Sequence, residues 1–61
     1  MYAEYANNLH EVAKEEFDGL DAIYEDALIH LIGIYGLQLL RTYNLIEGCG
    51  VVNGRNLYTL K

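Results

Sequence analysis

The dipeptide Asn53-Gly54 constrains this chain more than any other feature of it. Both residue types accept positive φ, which a two-residue type I′ turn demands at its two central positions, and the twist of that turn matches antiparallel strands. The flanks are strand-like, with Cys49-Gly50-Val51-Val52 before the turn and Arg55-Asn56-Leu57-Tyr58-Thr59-Leu60 after it. A β-hairpin over about residues 49–60 follows, in a register that the turn fixes. Val52 then faces Arg55, Val51 faces Asn56, Gly50 faces Leu57 and Cys49 faces Tyr58. Side chains alternate along a strand, so Cys49, Val51, Tyr58 and Leu60 share the face expected to cover the rest of the molecule, with Gly50, Val52, Arg55, Leu57 and Thr59 on the other. An isolated hairpin is marginal in water, so this one must lean on helices or pair with another strand.

The helices to lean on come earlier. Tyr5, Leu9, Val12, Ala13 and Phe17 recur at helical spacing, while Glu4, Asn8, Glu11 and Glu15 fall on the opposite side, which describes an amphipathic helix over about 2–17. Asp18-Gly19 breaks it: Gly19 suits a left-handed C-terminal position, and Asp18 can cap a second helix starting near Leu20, with Asp21 in its first turn. Leu20, Ile23, Tyr24, Ala27, Leu31, Ile34 and Tyr35 make one apolar stripe of that helix. A second stripe, Ile29, Gly33, Gly36 and Leu40 with Ile32 and Tyr43 beside it, lies on the far side. A helix apolar all round must be covered all round. Either it runs unbroken from about 20 to 43 and packs on a symmetry mate, or the glycines divide it into about 20–32 and 34–44. Each interior glycine costs roughly 1 kcal/mol relative to alanine, which favours the break.

The expected fold is therefore α+β: two or three helices followed by a C-terminal hairpin, in one small domain spanning 1–61. A chain of 61 residues hides only about 60% of the surface that it exposes when unfolded. A single cysteine offers no internal disulfide, yet 52% of the residues are apolar and only 21% charged. That combination points to burial against another chain, and the seam expected for a homodimer is Ile29, Ile32, Gly33, Gly36 and Leu40. Six tyrosines, each a large contact area with a polar tip, fit a contact-making protein equally well. The start, Met1-Tyr2-Ala3-Glu4-Tyr5, lacks the basic and apolar regions of a secretory signal. The longest apolar stretch, Ala27 to Leu40, is interrupted by His30 and Gln38 and falls short of the ~20 residues of a membrane span. A reducing cytoplasm is the expected location, with no membrane partner.

Two helical segments joined by a short turn, then Leu45-Ile46-Glu47-Gly48 running into a hairpin that ends Arg55-Asn56-Leu57-Tyr58-Thr59-Leu60, resemble the later part of winged helix-turn-helix domains over about residues 20–60. The resemblance implies a recognition helix over Ile34 to Asn44, a wing tip at Asn53-Gly54-Arg55, and a dimeric DNA-binding transcriptional regulator. Gln38, Arg41 and Arg55 would then be the nucleic-acid contacts. The chain departs from the pattern in the opening turn of that helix, Ile34-Tyr35-Gly36-Leu37, which offers no cation to a base edge or phosphate.

Charge separates the two functional expectations. Residues 1–26 hold eight carboxylates against Lys14 alone, a net of −7, whereas residues 27–61 set Glu47 against Arg41, Arg55 and Lys61, a net of +2. The acidic front repels free nucleic acid and attracts a basic protein surface. The leading expectation is a small non-enzymatic protein-binding modulator whose contact residues are Glu11, Glu15, Asp18, Asp21, Glu25 and Asp26. One version is an inhibitor that mimics DNA charge toward a nucleic-acid-binding protein, as small proteins of phages and mobile elements do. Catalysis is not expected. Cys49 has no base placed beside it by spacing, His10 and His30 are scattered, and the pairs Glu15/Glu16 and Glu25/Asp26 lack a cleft to split their pKa values. Three dispersed Cys and His residues do not make a metal site, and no cofactor is implied.

Overall fold

A computed structural model describes residues 2–61, so Met1 of the expected domain lies outside the described residues. The elements run α1 (Tyr2–Glu16), β1 (Ile23–Tyr24), α2 (Glu25–Thr42), β2 (Ile46–Val52) and β3 (Arg55–Leu60). The three strands form one antiparallel sheet in the order β1-β3-β2, which makes the molecule α+β. Its radius of gyration is 10.6 Å, against ~10.5 Å for a compact chain of this length.

The turn is as expected. Asn53 and Gly54 take φ of 53° and 76°, and Val52↔Arg55, Val51↔Asn56 and Gly50↔Leu57 pair across it. Beyond Gly50 the register differs. Gly48, not Cys49, stands opposite Tyr58, because β2 bulges between Gly48 and Gly50, and the strand continues back to Ile46. The bulge is possible because Gly50 adopts φ of 139°, where a side chain would be strained. It reverses the alternation on which the expected inner face rested. Tyr58 is buried, but Val51 is 64% exposed and Cys49 lies in solvent, while Ile46 takes the inward position at 4%.

The second helix starts later than its apolar stripe implies. Ile23 and Tyr24 pair with Tyr58 and Leu57 as a third strand, and α2 begins at Glu25. A β-branched and an aromatic residue suit that role, and pairing satisfies an edge of β3 that a lone hairpin would leave open. Asp18 therefore does not cap α2; the capping position is Tyr24, extended at φ −66° and ψ 143° with no side-chain cap. Gly19 does take the left-handed conformation, at φ 85°.

The glycine question resolves at one position. Gly33 sits at φ 79° and ψ 166°, outside helical space, and divides α2 into limbs of 25–32 and 34–42. The break resets the helical phase, so the stripe does not continue through it: Leu28 is buried on the first limb, and Gly36, Leu37 and Leu40 on the second, leaving Ile34 and Tyr35 outside. The second limb ends before Asn44. That residue is left-handed at φ 59°, and Asn44 N–H to Arg41 O (3.1 Å) with Leu45 N–H to Leu40 O (2.8 Å) closes the helix as a Schellman motif.

The core lies where the elements converge: Ala13, Ile23, Leu28, Leu37, Leu40, Ile46 and Tyr58, with Leu9, Phe17, Ile29 and Ile32 packed against it. α1 contributes chiefly alanines, Ala6 and Ala13, which lets its backbone approach α2. Beside the kink, a Cβ on Gly36 would lie 3.0 Å from Ile32 Cβ and 3.2 Å from Leu9 Cδ1, so this glycine is packed inside the monomer, where a side chain would have to push its neighbours aside.

Candidate functional site

The six acids expected to bind a partner divide into two groups with different surroundings. Glu11 and Glu15 project from α1, and Asp18 and Asp21 from the connection after it, all exposed. On α1 they continue the line of Glu4 and lie away from the buried Ala6 and Ala13, so the polar side of this helix is as expected, whereas Tyr5 and Val12 of the expected apolar stripe are exposed and Ala6 is buried in their place. Among the described residues neither these four carboxylates nor that of Glu4 takes part in an ion pair or a side-chain hydrogen bond. Asp21 is held only through its backbone carbonyl, which accepts from Thr59 Oγ1 at 3.1 Å.

Glu25 and Asp26 do other work. They open α2, where a negative charge is favoured by the unpaired N–H groups of the first turn, and both reach across to β3. Glu25 Oε2 accepts from Tyr58 OH at 2.9 Å and from Asn56 Nδ2 at 3.4 Å. Asp26 Oδ2 receives Arg55 Nε at 3.1 Å and Nη2 at 2.9 Å, and the guanidinium carbon lies 4.1 Å from the centre of the Tyr24 ring. Burial raises the Tyr58 pKa above its ordinary 10.0, the hydrogen bond and charge of Glu25 add to the rise, and Arg41 opposes it.

The residues of the nucleic-acid reading are dispersed. Gln38 and Arg41 line a shallow hollow on the second limb of α2 with Thr42, whereas Arg55 lines a different one with Glu16, Phe17, Asp26, Ala27, His30 and Leu31. Arg55 is already paired with Asp26, which leaves Arg41 as the exposed cation of this set without an acid against it.

The expected dimer seam is likewise not one surface. Gly36 and Leu40 are enclosed by the chain's own core, Ile29 and Ile32 are half-buried against it, and Gly33 is exposed at the kink. The exposed large apolar side chains are elsewhere. Tyr2, Tyr5 and Tyr35 line a hollow between the start of α1 and the second limb of α2, together with Gln38, Leu39 and Thr42. Sequence reasoning could have placed Ile34 and Tyr35 outside had it restarted the helical phase after Gly33.

The reactive side chains show no constellation. Cys49 is exposed on the bulge, His30 is exposed on α2, and His10 Nε2 is out of solvent with no hydrogen-bond partner among the described residues. Among the described residues no three of His, Cys, Asp and Glu are grouped to hold a metal ion, and no helix is long and apolar enough to cross a membrane. Comparison with family models, curated proteins and solved structures finds no match to this chain.

Proposed function

We propose that the chain is a non-enzymatic protein-binding modulator whose acidic face, Glu11, Glu15, Asp18 and Asp21 with Glu4 in line, meets a basic surface of another protein. One observation carries this reading: these carboxylates are exposed and hold no cation of their own chain among the described residues. A charge with no internal partner keeps its whole attraction for an external one. Glu25 and Asp26 belong to the frame instead, because each already binds β3.

Spacing decides between two versions of the partner. Glu4 to Glu15 spans about 16 Å of helix at ~1.5 Å per residue and carries three charges. One DNA strand carries a charge every ~3.4 Å, so the face is too sparse to imitate a phosphate backbone closely. An inhibitor that docks on a basic protein surface suits it better than one that fills a nucleic-acid channel. The test is the triple variant Glu11→Lys, Glu15→Lys, Asp18→Lys. Capture of a partner from the native host should be lost while helical circular dichroism is kept, and wild-type capture should weaken with salt. Capture unchanged by the variant would remove the reading.

A second reading has its own observation. The order α1-β1-α2-β2-β3, the sheet order β1-β3-β2 and the division of α2 at Gly33 support a winged helix-turn-helix architecture, with the second limb as recognition helix and Asn53-Gly54 as wing tip. A DNA-binding regulator built this way would rely on Gln38 and Arg41, and on Arg55 only after release from Asp26. Retention on heparin or duplex DNA at low salt, weakened by Arg41→Ala with Arg55→Ala, is its expected outcome. No retention excludes it.

A further inference from the structure

We infer that the acidic face holds its protein partner through one arginine, whose side chain enters the hollow between the end of α1 and the first limb of α2. The inference rests on the acidic-face reading and names the side chain that anchors the contact. The hollow has a volume of about 540 Å³, within the ~300–1,000 Å³ of a ligand site. Half-buried Phe17, Ala27 and Leu31 line it, and exposed Glu16, Asp26 and Arg55 stand around them. Ala27 and Leu31 are four apart on α2 and so share one face of that helix. The chain's own Arg55 shows what a guanidinium does here. It binds Asp26 Oδ2 through Nε at 3.1 Å and Nη2 at 2.9 Å, and its guanidinium carbon lies 4.1 Å from the centre of the Tyr24 ring. A carboxylate beside an aromatic ring thus takes a guanidinium that pairs with the one and stacks on the other. Glu16 and Phe17 bring the same two groups to the same hollow, and among the described residues Glu16 takes part in no ion pair or side-chain hydrogen bond.

Charge selects the occupant. Arg55 is matched by Asp26, so Glu16 is the carboxylate of the lining that has no cation of its own chain, and exposed Glu15 and Asp18 flank Glu16-Phe17 in sequence. An acidic segment is repelled by that field, and a wholly apolar side chain would strip water from Glu16 with nothing in exchange. An arginine meets both demands, because its stem covers Phe17 and Leu31 while its planar head pairs with Glu16. The other hollows suit it less: that at Gln38, Arg41 and Thr42 carries a cation, and that of the tyrosines has no charge in its lining. Exposed carboxylates each add little to affinity, whereas an arginine seated in a pocket is a common anchor of an interface. The acids of α1 then steer the partner and the hollow retains it.

The probe is the peptide acetyl-Gly-Arg-Gly-amide, titrated into the isotopically labelled full chain and followed by NMR. The backbone signals of Phe17, Ala27 and Leu31 should move and saturate with a Kd in the millimolar range, as befits a single side chain. The same peptide with citrulline for arginine, alike in shape and uncharged, should leave them in place. Glu16→Gln, at an exposed position in the last turn of α1, should weaken binding of the arginine peptide at least ~3-fold with helical circular dichroism unchanged. Loss of capture in the triple lysine variant tests the acidic face, and the identity of the signals that the peptide moves tests the hollow, so the two can fail separately. Signals that move only at Glu11 and Glu15, an equal response to the citrulline peptide, a Glu16→Gln Kd equal to that of the wild type, or no movement at ~50 mM peptide would each overturn the inference.

Discussion

At the scale of single residues, Glu25 and Tyr58 show how one polar contact fastens the sheet to the helices. Tyr58 is 8% exposed and donates its hydroxyl proton to a carboxylate at the head of α2, so the ring fills the core while its polar end remains bonded. A hydrogen bond to a charged group contributes about 1.5–3 kcal/mol, and Tyr58→Phe should cost a figure toward the lower end of that range, since it leaves Glu25 with only the longer bond from Asn56. The same pair sets a pH dependence. The folded pKa of Tyr58 lies above the ordinary 10.0, so its contribution is fully present below pH 10.0 and is lost as pH rises from there through the folded value. Denaturant unfolding between neutral and strongly alkaline pH should show this decline, with the part due to Tyr58 missing in Tyr58→Phe; a decline of equal size in the variant would contradict the assignment. The Arg55–Asp26 pair, by contrast, is about half exposed on one side and more on the other, and a surface pair of this kind is worth ~1 kcal/mol at most. Its value is to fix β3 against α2.

At the scale of elements, glycines and asparagines decide where chains of like propensity stop. Gly33 occupies a backbone region reserved for glycine, and open space surrounds the position of its missing Cβ. The obstacle to Gly33→Ala is therefore the dihedral alone. It should destabilise by about 1–3 kcal/mol, read as a lower denaturant midpoint, despite alanine's higher helix propensity. A midpoint that rises instead would mean that the two limbs can merge into one helix. Gly36 is tight for a different reason, since a Cβ there would press on Ile32 across the kink and on the Leu9 side chain of α1, so one glycine breaks a helix and the other gives room beside the break. On the sheet, the bulge at Gly48/Gly50 interrupts β2, which is an edge strand, and a kinked edge is a poor template for pairing with another sheet. Cys49 is exposed as the extra residue of that bulge, whereas Val51 keeps its pairing with Asn56 and is exposed because the turn end of the hairpin stands in solvent. The short β1 covers the opposite edge of β3.

At the scale of the whole molecule, charge and apolar surface occupy different faces. The acids of α1 and the loop after it face solvent, while the uncharged tyrosine hollow lies where α1 meets the second limb of α2. A chain of net −5 with its carboxylates crowded into the first 26 residues should gain stability as salt rises from very low ionic strength, because self-repulsion is screened more than the few exposed attractions are. A denaturant midpoint that falls with salt would show that the Arg55–Asp26 contact outweighs the repulsion. Much of this was legible in the sequence. The hairpin turn, the amphipathic first helix, the α+β class and the asymmetry of charge follow from residue types at short range: positive φ at Asn53-Gly54, a period of 3.6 over residues 2–17, and the plain order of acids and bases. The glycine break in the apolar stretch was legible as one of two alternatives, and the division expected between residues 32 and 34 is where it lies. What tertiary structure alone decided lies beyond that range. Ile23 and Tyr24 become a strand because β3 offers them an unpaired edge, Cys49 turns outward because a bulge shifts its register, and Leu40 is enclosed because helices and sheet converge on one core around it. Those choices depend on residues far away along the chain, so local pattern set the elements and long-range packing chose which of their faces remained open.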